Sequence, residues 1–297
     1  MTEIGWIVLI QLALTKTVPL LLAATGGLLS EKSGVINIAL EGTMLFGALG
    51  SIAGAHLLES SWAGMLAGAL SGAFLASVHA VCSIRYGADQ IVSGTAVNLL
   101  ALGGTGYLVY TVFGTHGSSA SVTKLPLIGA GSIAFHPTVY LAFVLLLIVS
   151  LVLDRTVWGL RLRAAGEKPE ALITAGVSVA NVRYVAVVLG GALAGIAGSH
   201  LALADLSQFV ERMTAGRGFI ALAALIFGKW KPSGILWACL FFGCAEALAD
   251  GFHGFQPKLP PQLFLALPFV LTMVVLAGFV GRSKPPAALG TPVDPRL

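Results

Sequence analysis

The sequence predicts an all-α integral membrane protein. Specifically, it reads as a polytopic helical bundle of about eight to ten transmembrane helices, with a candidate inverted repeat of broken helices. Three observations carry this. Of 297 residues, 57% are hydrophobic and 10% charged, where a soluble domain carries about 25% charged residues. The mean hydropathy is +0.91. Apolar runs of roughly 17–25 residues recur along the chain, each long enough to carry a helix across ~30 Å of hydrocarbon. These runs are continuous rather than short and alternating, which excludes a β-barrel pattern.

The runs fall at about 6–29, 36–57, 62–84, 90–114, 137–153, 183–205, 214–230, 233–250 and 263–281. The first contains Lys16 and Pro19 and lacks both a charged leader and a small-residue cleavage site, so it is not read as a signal peptide. Residues 3–16 have a second reading, as a helix lying along the membrane surface. Between the fourth and fifth runs, residues 115–136 are rich in Gly, Ser, Thr and Pro, with Lys124 as the sole formal charge. Between the fifth and sixth, residues 154–183 hold Arg155, Arg161, Arg163, Lys168 and Arg183. The positive-inside rule places this second loop in the cytoplasm and the first outside. Alternation then puts Arg85, Lys229, Lys231, Arg282 and Lys284 inside and the N-terminus outside.

Residues 1–281 are therefore expected to form one transmembrane domain, with the cytoplasmic loop at about 154–183. The stretch SKPPAALGTPVDPRL has four prolines and no apolar periodicity, so residues 282–297 are expected to be a disordered cytoplasmic tail. The net charge of +4 belongs to loops and tail and predicts no nucleic-acid partner. Cys82, Cys239 and Cys244 lie in apolar runs without metal spacing and read as small buried hydrophobes. No GxxxxGK[ST] loop and no HExxH, CxxC or GxSxG spacing occurs, so neither ATP binding in a phosphate loop nor catalysis is expected. No metal or cofactor is expected.

The polar residues inside the apolar runs are the candidates for function. EKSGVINIALEG, residues 31–42, places Asn37 and Glu41 four apart on one helix face. A carboxylate at membrane depth costs roughly 2.5–3.5 kcal/mol, so it faces protein, water or a substrate. Ties between helices are an equally good reading. In ADQIVSGTAVN, Asp89 and Gln90 suit a helix start, whereas Asn98 lies deeper and has no capping role. In MTAGRGFIALAALIFGKW, residues 213–230, the apolar part is short, which fits a broken helix with Arg217 at its start. Phe219 could stack on a planar ligand or simply face lipid. GVINIAL and GRGFIAL share four of seven residues, a weak echo of inverted transporter repeats. Glu246 and Asp250 read as a small acidic site or as the outer interface. Residues 167–174 read as a short amphipathic helix, with Pro169 in its first turn and Gly176 ending it.

Three blocks, PLLLAATGGLLSEKSGVINIALEGTMLFGA, ADQIVSGTAVNLLALGGTGYL and MTAGRGFIALAALIFGKWKPSG, resemble permease subunits of ABC importers. The resemblance is to the branched-chain amino acid and simple-sugar permease family, most of all its nucleoside-type branch, and covers about residues 19–281. It implies a multi-pass protein of the bacterial inner membrane that moves a small polar solute, most of all a nucleoside, by alternating access. The implied partners are a second permease subunit in a heterodimer, cytoplasmic ATP-binding subunits, an extracytoplasmic substrate-binding protein and membrane lipid. It further implies a substrate pathway at Asn37, Glu41, Gln90, Asn98, Arg217 and Phe219. Contacts to the ATPase are implied at Glu167, Pro169, Glu170, Ala171 and Gly176, although GEKPEALI departs from the usual sequence of that loop. A simple sugar or a flavin would suit similar residues. An ion-coupled secondary transporter is the competing reading, weakened by the lack of a second carboxylate beside Glu41.

Overall fold

The computed structural model describes residues 3–129, 134–255, 270 and 283–292. The predicted span at 263–281 lies outside the described residues, Val270 excepted.

Among the described residues ten α-helices follow in order: α1 (Glu3–Lys32), α2 (Leu40–Leu58), α3 (Ser61–Ala80), α4 (Gln90–Phe113) and α5 (Pro137–Arg155), then α6 (Val157–Glu167), α7 (Pro169–Thr174), α8 (Val179–Ser199), α9 (Arg217–Phe227) and α10 (Pro232–Phe255). Helices α3 and α8 each run on into a π-helical turn, Val81–Arg85 and His200–Leu206. Among the described residues, six helices are long and apolar enough to cross a membrane, and Arg217–Phe227 is a shorter apolar helix. The chain is an all-α multi-pass membrane protein.

Helix α1 is continuous from Glu3 to Lys32 with Pro19 inside it. Residues 3–16 are therefore part of α1 and not a separate helix. Asp89 caps α4 as expected, its carboxylate accepting from Ile91 N and Val92 N at 2.9 Å. The 154–183 loop is mostly helix, and Glu167 ends α6 instead of opening the next helix. Pro169 at the first position of α7 and Gly176, with φ +71°, bound the short helix as predicted.

Helix α8 is the axis of the bundle and packs against α1, α2 and α3. Its glycines let backbones meet. A Cβ at Gly26 would strike the Gly190 carbonyl, one at Gly47 the Gly195 backbone, and one at Gly72 the Gly191 carbonyl. In lipid, where apolar contact alone gives helices no reason to associate, such close approach supplies the dispersion that holds them. The outward faces remain apolar: Leu66, Leu70 and Phe74 of α3 and Leu147 and Leu151 of α5 are exposed, as lipid contact requires.

Residues 283–292 correct the expectation of a disordered tail over that stretch. Ala288 is buried, and Leu289 packs on the main apolar core. Hydrogen bonds from Ala288 N to Gly166 O at 2.8 Å and from Gly290 N to Gly34 O at 3.0 Å hold the segment down. Small side chains and free backbone N–H groups let it lie against the helix ends in spite of its prolines.

Candidate functional site: a groove between α2, α4 and α9

Between α1 and α2, residues 33–39 leave the helix, starting at Gly34 with φ +97°. This bend opens backbone groups that other helices must satisfy, since lipid offers no hydrogen bonds. The carboxamide of Asn98 on α4 meets two of them. Its Oδ1 accepts from Gly42 N at 2.8 Å and its Nδ2 donates to Ile38 O at 2.9 Å. Gln90 takes a third, accepting from Ile36 N at 2.7 Å, and the His79 ring lies 3.0 Å from Ile36 O.

Glu41, in the first turn of α2, reaches the start of α9. Its two oxygens accept from Gly216 N at 2.8 Å and Gly218 N at 2.7 Å. A carboxylate at a helix N-terminus is favoured both by the unpaired N–H groups and by the dipole. The sequence itself supplies no side-chain cap for α9, because Gly216 stands at that position. Gly218 is needed for the approach, since a Cβ there would lie 2.5 Å from Glu41 Cα.

Beside these contacts lies a groove of about 380 Å³. Ile38, Leu45, Leu99, Leu102 and Phe219 make its apolar walls, and Glu41, Asn98, Thr95, Thr214 and Arg212 add polar groups. Phe219 is about half exposed.

The structure thus brings Glu41, Asn98 and Phe219 to one groove. Gln90 is buried at the bend and does not line it. Asn37 is buried too, and its side-chain amide has no hydrogen-bond partner among the described residues. Arg217 points away from the groove: it pairs with Glu246 and donates to Met213 O at 3.3 Å. There Glu246 and Asp250 also meet Lys16, with Asp250 at 2.9 Å from the ammonium. What looked like an acidic site is an ion cluster tying α1, α9 and α10.

Sequence reasoning missed Arg212, Thr95 and Thr214 at the groove. Arg212 and Thr214 sit in the irregular stretch before α9, where no periodicity reports a facing. It also passed over the hydrogen bond from Trp230 Nε1 to buried Glu31, at 2.6 Å. Glu31 was visible as a carboxylate beside an apolar run, but its partner is 199 residues away.

The proposed coupling residues occupy the far side of α6 and α7. Glu167, Glu170, Ala171 and Gly176 are exposed and Pro169 is half-buried, while Leu172 is buried and anchors α7.

The glycine-packed bundle has irregular stretches before α2 and before α9, and comparison with known proteins says which family it belongs to. Residues 9–276 match the family described as branched-chain amino acid transport system, permease component, and the chain belongs to that family. It is 38% identical to the guanosine ABC transporter permease protein NupQ of Bacillus subtilis, over 96% of each chain. It is 37% identical to the nucleoside ABC transporter permease protein NupC of Lactococcus lactis, over 93% of each. A putative glucose ABC transporter permease of Haloferax volcanii is 35% identical over 89% of each. A second Lactococcus lactis nucleoside permease, NupB, is 23% identical over 88% of this chain. No solved structure matches the chain. The chain is accordingly a permease subunit of an ABC transporter and not an enzyme.

Proposed function

We propose that this permease carries nucleosides inward through the groove between α2, α4 and α9. The observation that carries the proposal is the groove itself. It joins apolar walls and an aromatic ring, which suit a nucleobase, to a few polar groups, which suit a ribose. The guanosine and nucleoside permeases among the relatives support the same class. The glucose relative makes a simple sugar the second candidate.

Glu41 and Asn98 act chiefly by shaping the groove, because their polar atoms are already bonded to backbone. Family membership favours ATP-driven over ion-coupled transport. Glu167, Pro169, Glu170, Ala171 and Gly176 would meet the cytoplasmic ATP-binding subunits, which re-aim the bundle on ATP binding. A second, different permease would complete the transporter, and the two Lactococcus lactis relatives favour such a heterodimer. An extracytoplasmic binding protein would deliver substrate, and the bacterial inner membrane is the proposed location.

The test is purification from membranes with its partners, followed by uptake into vesicles of labelled guanosine and of glucose, with and without ATP. ATP-dependent guanosine uptake is expected. Uptake of glucose alone would move the substrate to sugars, and uptake without any ATPase would overturn the reading.

A further inference from the structure

The end of the bundle that carries α6 and α7 holds an arrangement that the pathway reading does not use. Residues 287–291 lie across it and touch three separate parts of the chain. Ala287 N donates to Glu167 Oε2 at 3.3 Å, and Ala288 N to Gly166 O at 2.8 Å, both at the end of α6. Gly290 N donates to Gly34 O at 3.0 Å, inside the bend that precedes α2. With φ +80°, Gly290 also lies against Ile36, whose Cδ1 would stand 3.0 Å from an added Cβ.

Arg183 closes the arrangement from α8. Its buried guanidinium donates from Nε to Ser33 O at 3.0 Å, from Nη1 to Thr291 O at 2.9 Å and from Nη2 to Ala165 O at 3.4 Å. No carboxylate is among these partners. Ser33 follows the last residue of α1 and Ala165 lies in the last turn of α6, so two helix C-termini, negative ends of their dipoles, balance the cation. The terminal segment supplies the third acceptor.

The bend continues directly into the groove. Ile36 is bonded to Gln90, Ile38 and Gly42 to Asn98, and Glu41 to the start of α9. A hydrogen-bonded run therefore leads from α6 through residues 287–291 to the groove. The end of α6 also packs directly on α1, where a Cβ at Gly166 would strike Lys32 O. That packing reaches only the first residues of the bend, where Gly34 N lies 3.3 Å from the same Cβ. The terminal segment adds a second link, to Gly34 O and against Ile36.

We propose that residues 287–291 and Arg183 form a transmission tie that carries movement of α6 and α7 to the bend at residues 33–39, and so re-aims α2 and α9. The proposal rests on the reading of α6 and α7 as the part that meets the ATPase. In it Arg183 is a positioning residue, acting through the bend and not on the solute.

The test uses the full complex in vesicles, with Leu99→Cys as a reporter in the groove and Cys82 and Cys244 replaced by Ala. Labelling of that cysteine by a water-soluble maleimide is followed with and without ATP. ATP is expected to change the labelling rate severalfold in the full-length chain. In a chain ending at Lys284, the ATPase is expected to remain bound and to hydrolyse ATP while the labelling rate no longer responds. Where that truncation lowers membrane abundance, Gly290→Pro serves instead, since it removes the N–H donor and forbids the positive φ. An unaltered ATP response in these variants would overturn the tie. Loss of the ATPase from the variant complex would overturn it too, making the segment a docking element. Failure of the ATPase to accompany the intact chain would sink the α6–α7 reading and the tie with it, and shows before any variant is made.

Discussion

Glu41 illustrates how a residue placed for one reason serves another. As a carboxylate in an apolar run it invites a substrate role, yet both of its oxygens are spent on the backbone of Gly216 and Gly218. Glu41→Gln keeps the shape but aims an NH₂ group at one of those N–H donors. Hydrogen bonds to a charged group contribute about 1.5–3 kcal/mol, so uptake is expected to fall roughly tenfold or more while the protein still inserts. Asn98→Ala strands Ile38 O and Gly42 N and is expected to do the same. Uptake of labelled guanosine at matched membrane abundance checks both, and normal uptake by the pair would remove them from the pathway. Space makes a second prediction at this scale. Gly218→Ala has no room beside Glu41 Cα, whereas a Cβ at Gly104 meets nothing within 4 Å. Overpacking costs about 1–3 kcal/mol, so thermal unfolding in detergent is expected to be lowered by Gly218→Ala and unchanged by Gly104→Ala.

At the scale of the element, α9 is the piece that the rest of the fold must hold. Its 11 residues span about 16 Å, roughly half the hydrocarbon thickness. The carboxylates on either side of the bend fasten it at both ends: Glu41 caps its start, and Glu31 accepts from Trp230 just past its end. Helix α7 is held differently, by buried Leu172, with its Glu170 and the neighbouring Glu167 at the end of α6 turned outward. Reversing Glu167 and Glu170 to Lys is expected to cut co-purification of the ATPase at least tenfold without loss of insertion. Unchanged co-purification would make α6 and α7 an ordinary connector.

Across the whole molecule, charge inside the bundle is gathered where helices far apart in sequence must stay together. Lys16, Arg217, Glu246 and Asp250 join α1, α9 and α10. The Arg217 and Glu246 side chains are each 18% exposed and Asp250 is 47% exposed. Breaking a fully buried pair from one side costs about 3–5 kcal/mol because the other charge is left uncompensated, an upper bound for this part-buried pair, whereas exposed pairs are worth little. Glu246→Gln is therefore expected to lower the unfolding temperature in detergent clearly, and Asp250→Asn to leave it nearly unchanged. Equal effects would mean that the cluster acts as one unit.

The membrane class, six of the expected spans and the short α7 were legible in the sequence because each depends on local composition: apolar length, a proline at a helix start, a glycine past its end. The brevity of α9 was legible for the same reason, as glycine and polar residues interrupting an apolar run, but the bend at residues 33–39 was not: Asn37 and Glu41 read as one helix face, whereas α2 begins only at Leu40 and leaves Asn37 outside it. Tertiary structure alone decided which polar groups face solute and which face backbone. Glu41 and Gly218, Asn98 and Gly42, Arg217 and Glu246, and Arg183 and Thr291 are 29 to 177 residues apart, and no local periodicity reports such pairings. The terminal segment shows the limit most plainly. Its composition is that of a free chain, and it is held because α1, α6 and the bend together present the carbonyls and the carboxylate that its backbone, with Arg183, can satisfy.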